Sequence, residues 1–224
     1  MWDAATVLPT AKRYVKLAQD VDRPAIGGHP TTMNPAETYE LLRTITSPVV
    51  AVTMRRGDKR NGMISDGAIR ASIVPDIPRL GVFIHKFNFS HDLIYETGRF
   101  AVHVLHTGQL ELVHRLGFFS GRDREKLEGV RHRDGARTGV PILEDCYCWF
   151  ECEVGNVMDT GSSTFFMGEV VDSGRGPGTE VLEPTYLRAN LPSKLIADYV
   201  AHLSSAQETA RQASRTMRSI YQRK

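Results

Sequence analysis

The spacing of apolar residues changes several times along the chain, and each change marks an element. Residues 10–20 read as a short helix, which the Pro/Gly-rich stretch Arg23-Pro24-Ala25-Ile26-Gly27-Gly28-His29-Pro30 cannot continue. A second helix has an explicit start, with Asn34 as N-cap and Pro35 at the first helical position, and runs through Tyr39, Leu42 and Ile45 to Ser47-Pro48. The texture then becomes β. Val49-Val50-Ala51-Val52-Thr53-Met54 enters a charged turn around Gly57, and the chain returns through Asn61 to Ser65, which predicts a hairpin. Further strands are expected at 79–86, 99–105, 146–158, 164–172 and 179–186, each bounded by Gly, Pro or Asp. Between them fall two helical inserts: one capped by Ser90, carrying Leu93 and Ile94 and stopped by Gly98, and another from Thr107 to Leu116.

Strands with short helical inserts and no regular strand-then-helix alternation argue against a parallel, doubly wound sheet. The pattern predicts a mainly β fold, a closed antiparallel barrel with helices at both ends. After Pro192 the pattern changes in kind. Ile196, Tyr199, Leu203, Ala206, Ala210, Ala213, Met217 and Ile220 recur in alternating steps of three and four, a heptad seam. A helix over 193–222 would be about 45 Å long at 1.5 Å per residue. Two arrangements suit that seam: pairing with a second subunit, or lying across its own barrel. The chain thus divides into an N-terminal arm (1–34), a barrel domain (35–191) and a C-terminal helix (192–224).

Charge and composition narrow the function. The formal net charge of +2 over 224 residues does not provide the strongly basic surface of sequence-independent nucleic-acid binding. No apolar run reaches the roughly 18 residues needed to span a bilayer. The N-terminus lacks the charged-then-apolar order of a secretory signal, Lys12, Arg13 and Lys16 coming too late, so a cytoplasmic location is expected. Cys146, Cys148 and Cys152 are an odd set with no second Cys/His cluster at matching spacing, which predicts neither a disulfide framework nor a metal site. Their even numbering puts them on one strand face with Phe150 and Val154, as buried reduced thiols. Arg211, Arg215, Arg218, Arg223 and Lys224 form a basic tail, read first as a solvated face and second as a contact for anionic lipid or nucleic acid.

Two segments carry candidate chemistry. In Ile84-His85-Lys86-Phe87-Asn88-Phe89-Ser90 a strand ends in a polar loop and a helix begins. Unpaired N–H groups and the helix dipole make such a place suited to an anion, and Lys86, Asn88 and Ser90 would complete a phosphate site. Against this, Ser90 as a simple cap and Asp92 in the first turn would satisfy the same end. In Arg60-Asn61-Gly62-Met63-Ile64-Ser65-Asp66-Gly67-Ala68 two glycines bracket a short run at the end of a hairpin. Backbone N–H groups there could hydrogen-bond a flat ring while Met63 or Ile64 packs against it, although a turn that simply needs Gly fits as well.

The order of motifs resembles the flavin reductase-like, FMN-binding split-barrel family over roughly residues 42–175. The resemblance is carried by Ser47-Pro48-Val49-Val50-Ala51-Val52-Thr53, Asn61-Gly62-Met63, Ala71-Ser72-Ile73-Val74-Pro75, Ser90-His91-Asp92-Leu93-Ile94 and Gly98 to Leu105. It continues through Gly139-Val140-Pro141-Ile142-Leu143-Glu144 and Phe166-Met167-Gly168-Glu169-Val170. The resemblance implies a Greek-key split barrel that forms a homodimer and binds FMN or FAD. It implies that the flavin lies along Ile64, Ser65, Asp66, Gly67 and Ala68, beside the Met63 singled out above, with its phosphate at Lys86, Asn88 and Ser90. It implies hydride transfer from NADH or NADPH to flavin, with reduced flavin passing to an acceptor or a partner monooxygenase. Because the cofactor carries that chemistry, no catalytic side chain is assigned. Two departures stand out: Ile64, Asp66 and Gly67 occupy places where many relatives carry Thr and Ser, and Ser163 stands where many carry His. These leave two competing functions, oxidation or reduction of another small substrate and a flavin-binding assembly module with little turnover.

Overall fold

A computed structural model describes residues 34–214, and the expected helix at 10–20 and the basic tail beyond 214 lie outside them. The chain divides into two compact units, Met1–Ile45 and Thr46–Lys224. In the first, α1 (Pro35–Leu42) starts as expected, with the Asn34 side chain accepting from the N–H of Ala36 at 3.0 Å. It ends at Arg43, before Pro48 is reached.

The second unit is built on one seven-stranded sheet. Its strands are β1 (Val50–Arg56), β2 (Lys59–Ser65), β3 (Ala68–Arg70), β4 (Arg79–His85), β5 (Arg99–Val104), β8 (Cys148–Asp159) and β9 (Ser163–Arg175). The order across the sheet is β2-β1-β5-β8-β9-β4-β3, and every neighbouring pair is antiparallel. The β1–β2 turn is tighter than the charge pattern suggests: Gly57, at φ +57, and Asp58 alone join the strands. β2 and β3 are the two edges of the sheet, yet only Asp66 and Gly67 separate them in the chain. So short a link reaches only about 10 Å, so the sheet must curl until its edges nearly meet. The split barrel that the resemblance implies is therefore present, its seam crossed by the chain instead of by a hydrogen-bonded ladder. β6 (His132–Asp134) and β7 (Pro141–Leu143) form a separate ribbon.

Both faces of β1 are buried, which explains its near-continuous apolar run. Val50, Val52 and Met54 join Val82, Ile84, Phe100 and Phe166 in one core, which Leu93 and Ile94 of α2 (Phe89–Thr97) complete. Val49 and Ala51 join Leu105, Val113, Leu116 and Leu182 in a second core, covered by α3 (Leu110–Gly117). Gly98 stops α2 as expected, in the left-handed region at φ +66 with its N–H on Ile94 O.

Two expectations fail. Residues 179–186 are not a strand: Val181 makes one isolated bridge to His106, and Pro184 then opens α4 (Pro184–Asn190). Pro has no N–H to give a ladder and its φ suits a helix start, so the β-prone Val181-Leu182 pair cannot extend. Nor do the three cysteines share a face. Cys152 lies in the barrel core beside Phe150 and Val154, whereas Cys146 precedes β8 and packs with Val140, Ile142 and Trp149. They are free thiols, and burial pushes Cys146 and Cys152 up to about 12, keeping them protonated. Among the described residues no group of acids, His or Cys could hold a metal, and no helix is long and apolar enough to cross a membrane.

The last helix, α5 (Ser193–Ser214), begins where expected. Of its seam, Tyr199, Leu203, Ala206 and Ala210 are half-buried against their own chain, Ile196 is exposed and Leu195 is buried in its stead. Met217 and Ile220 lie outside the described residues.

Candidate functional site

The crossing between the sheet edges forms the floor of a cleft of about 560 Å³. Met63, Ile64, Ser65, Asp66 and Gly67 line one side, and Asn88 and Ser90 line another. Seven of the nine residues singled out in the sequence thus come together from segments more than 20 positions apart. The other two do not join them. Ala68 begins β3, pairs with Val82 and faces an apolar groove on the other side of the crossing. Lys86 is turned to an exposed ion pair with Asp159 at 2.7 Å, and its hydrogen bond holds the Asp159 carboxyl below its ordinary value.

The backbone of the crossing is largely engaged. Asp66 O accepts from Ser47 N at 3.0 Å, Gly67 N donates to Ser65 Oγ at 3.0 Å, and Ala68 N donates to Ser47 Oγ at 3.1 Å. Exposed N–H groups were expected throughout; over 66–68 only that of Asp66 lacks a partner among the described residues. Gly67 is not required by packing, since an added Cβ would stand 3.6 Å from its nearest neighbours.

α2 starts two residues earlier than its sequence suggests. Asn88 is the N-cap and makes no side-chain bond to the first turn, which leaves those N–H groups without a side-chain cap. Ser90 is consequently inside the helix and buried, its Oγ accepting from Asn61 Nδ2 at 2.9 Å. A hydroxyl that accepts this bond keeps its own proton to donate elsewhere. Asn61 Oδ1, buried in the cleft lining, has no partner among the described residues. The objection that Asp92 already satisfies the helix dipole is removed by Arg122. Its Nη2 lies 2.7 Å from Asp92 Oδ2, its Nη1 donates to Phe87 O at 3.1 Å, and its guanidinium sits 5.2 Å over the Phe89 ring.

Other cleft residues were not anticipated. Phe118, Phe119, Ser120 and Gly121 follow α3, and Lys126 is buried with its Nζ donating to Leu116 O at 2.6 Å. Burial brings the Lys126 ammonium down to about 8. The Ser-Gly-Arg-Asp-Arg-Glu-Lys run at 120–126 was the available signal, a short basic loop after a helix, but nothing in it says which wall it faces. His85 lies against the cleft, stacked on Phe87 at 5.0 Å, with Nδ1 2.8 Å from Ser163 Oγ. Burial depresses its pKa, partly opposed by the Asp66 charge. Among the described residues no acid hydrogen-bonds its other nitrogen, so the pair lacks the orienting third member of a nucleophilic triad.

Chemically, the cleft offers an apolar-edged slot, an uncapped helix end, a primed hydroxyl and a buried cation. That set suits a flat ring carrying a phosphate. Asn61 Oδ1 and the N–H groups of Phe89 and Ser90 are polar atoms that such a ligand would satisfy, the His91 N–H already donating to Asn88 O at 2.9 Å.

Comparison with known proteins agrees. A high molecular weight rubredoxin from Moorella thermoacetica is 30% identical over 134 residues, covering 59% of this chain and 57% of its own length, so the chain spans little more than half of that relative. A ferric-chelate reductase (NAD(P)H) from Archaeoglobus fulgidus is 30% identical over 157 residues, 69% of this chain and 90% of its own. An FMN-binding protein from Thermus thermophilus superposes with a TM-score of 0.55 at 29% identity, covering 70% of this chain and 80% of that one. Residues 42–187, from the end of α1 to the middle of α4, match the model described as flavin reductase like domain, and the chain belongs to that family.

Proposed function

We propose that this protein is an NAD(P)H-dependent flavin reductase, binding FMN or FAD in the cleft and passing reducing equivalents to an acceptor or a partner monooxygenase. The observation that carries the reading is the convergence of Met63–Gly67 and the uncapped start of α2 on one cleft. A bound flavin would accept hydride from a nicotinamide ring. The chain's own contribution is orientation: Met63 and Ile64 pack on the ring, Asp66 N–H donates to its polar edge, and Asn61 aims the Ser90 proton at the phosphate. Lys86 reaches that phosphate only by leaving Asp159, an exposed pair that salt screens. His85 beside Ser163 supplies an imidazole near the place where relatives carry His.

The experiment is to titrate the purified protein with FMN and FAD by visible absorbance, then follow 340 nm with NADH and NADPH. Flavin uptake with flavin-dependent nicotinamide oxidation is expected; a colourless protein inert to both donors would refute the reading. Gly67→Ala probes ring contact separately. Since its Cβ meets nothing closer than 3.6 Å, Tm should be unchanged while FMN affinity falls by about tenfold. Equal affinity would move the ring away from Gly67.

The chain acts as a homodimer in the cytoplasm on the same reading. Exposed Ile69, Ile73, Val74 and Ile77 beside the apolar groove are a surface a second copy would cover. Three free cysteines suit a reducing compartment.

A further inference from the structure

The residues matched to the family stop at 187, and α5 begins at Ser193. Even so, Tyr199, Leu203, Ala206 and Thr209 line the same cleft as Met63–Gly67 and Ser90. Their steps of four, three and three place them on one helix face. The helix is held there by several contacts. Leu195 is buried, the rings of Tyr199 and His202 lie 5.7 and 5.9 Å from that of Phe118, and Asp198 and Lys194 meet His114 and Glu111 at 3.4 Å each. Toward the cleft the helix is small, with Ala206 and Thr209 leaving room for a ligand. In the wall beneath, among the described residues, Lys126 has only a neutral carbonyl for a partner, and Asn61 Oδ1 has none. Polar groups left incomplete in a cleft that α5 walls on one side point to a ligand that completes them.

We propose that α5 is the outer wall of the flavin site, with Tyr199 and Leu203 as ligand-retaining residues, and that it makes the flavin a resident group instead of a substrate exchanged at each turnover. The proposal rests on the flavin reading of the cleft. Release of a ligand beneath α5 requires the helix to lift, which parts Tyr199 and His202 from Phe118 and returns Leu195 and Leu203 to water. Dissociation therefore waits on undocking, and the flavin leaves slowly.

The test uses the full chain loaded with FMN, following the return of free-flavin fluorescence after dilution. The double variant Tyr199→Ala, Leu203→Ala should release FMN at least about tenfold faster, since two side chains lose their packing. Ala206→Trp, which fills the cleft without removing a docking contact, should weaken FMN binding at unchanged Tm. Unchanged release in the double variant together with unchanged affinity in Ala206→Trp would overturn the proposal while leaving flavin binding intact. Tighter binding in the double variant would also overturn it, marking α5 as a competitor for the cleft. A wild-type chain that takes up no FMN would overturn the flavin reading and this proposal together.

Discussion

Glu151→Ala is expected to cost about 3 kcal/mol of stability or more and to lower Tm by roughly 10 °C. Glu151 is fully buried on β8, and its Oε1 accepts from Arg137 N at 3.1 Å, from Thr138 N and from Thr138 Oγ1 at 2.7 Å. One side-chain oxygen thus holds the loop that leads into β7. Alanine would leave the buried Thr138 N–H and hydroxyl proton without an acceptor, each at about 1–3 kcal/mol before relaxation, and would free the less buried Arg137 N–H as well. Gly135 closes the same arrangement: a Cβ there would stand 2.3 Å from Glu151 Oε1, so Gly135→Ala should displace the carboxyl and reproduce part of the loss. Urea unfolding of both variants measures this. A Glu151→Ala protein within about 1 kcal/mol of wild type would show that the loop is held by the apolar contacts of Val140 and Ile142 instead.

Acid should unfold the protein through His103. This residue is fully buried on β5, its Nδ1 facing Ala51 O at 3.3 Å and its Nε2 accepting from Leu143 N at 3.0 Å. That pairing requires the neutral ring with its proton on Nδ1. Burial brings the pKa from 6.5 down to about 4, the bond to Ala51 opposing only in part. The folded value lies below the unfolded one, so the unfolded state binds the proton first as pH falls. The stability that the neutral ring contributes is complete above pH 6.5 and is lost between there and about pH 4, on the order of 3 kcal/mol in all. His85, His91 and His202, each depressed chiefly by burial, add losses of the same sign. Unfolding free energies at pH 7, 5.5 and 4.5 for wild type and His103→Gln separate the contributions. The variant should be weaker at pH 7 but lose less on acidification, and equal slopes would acquit His103.

Much of the fold could be read in advance because its signals are local. Asn34-Pro35 starts a helix and Gly98 stops one through groups within four residues of themselves, and the apolar run from Val49 needs only its neighbours to declare a strand. The sequence misleads where a local signal competes with another residue's demand. Ser90 has the chemistry of a cap, yet Asn61, 29 positions away, claims its hydroxyl, and the helix starts at Phe89. Val181-Leu182 has β propensity, yet Pro184 turns the chain into a helix.

By itself, the sequence determined the long barrel strands, the Asn34 cap, the glycine stop and the two segments that meet at the cleft, since all of these follow from period and backbone preference along a few residues. Only tertiary structure decided that the chain crosses the split of the barrel at Asp66-Gly67, that Arg122 pairs with Asp92 and that α5 lines the cleft. Those outcomes depend on which faces meet after the sheet curls, and hydrophobic burial, being non-directional, does not name its partner in one dimension.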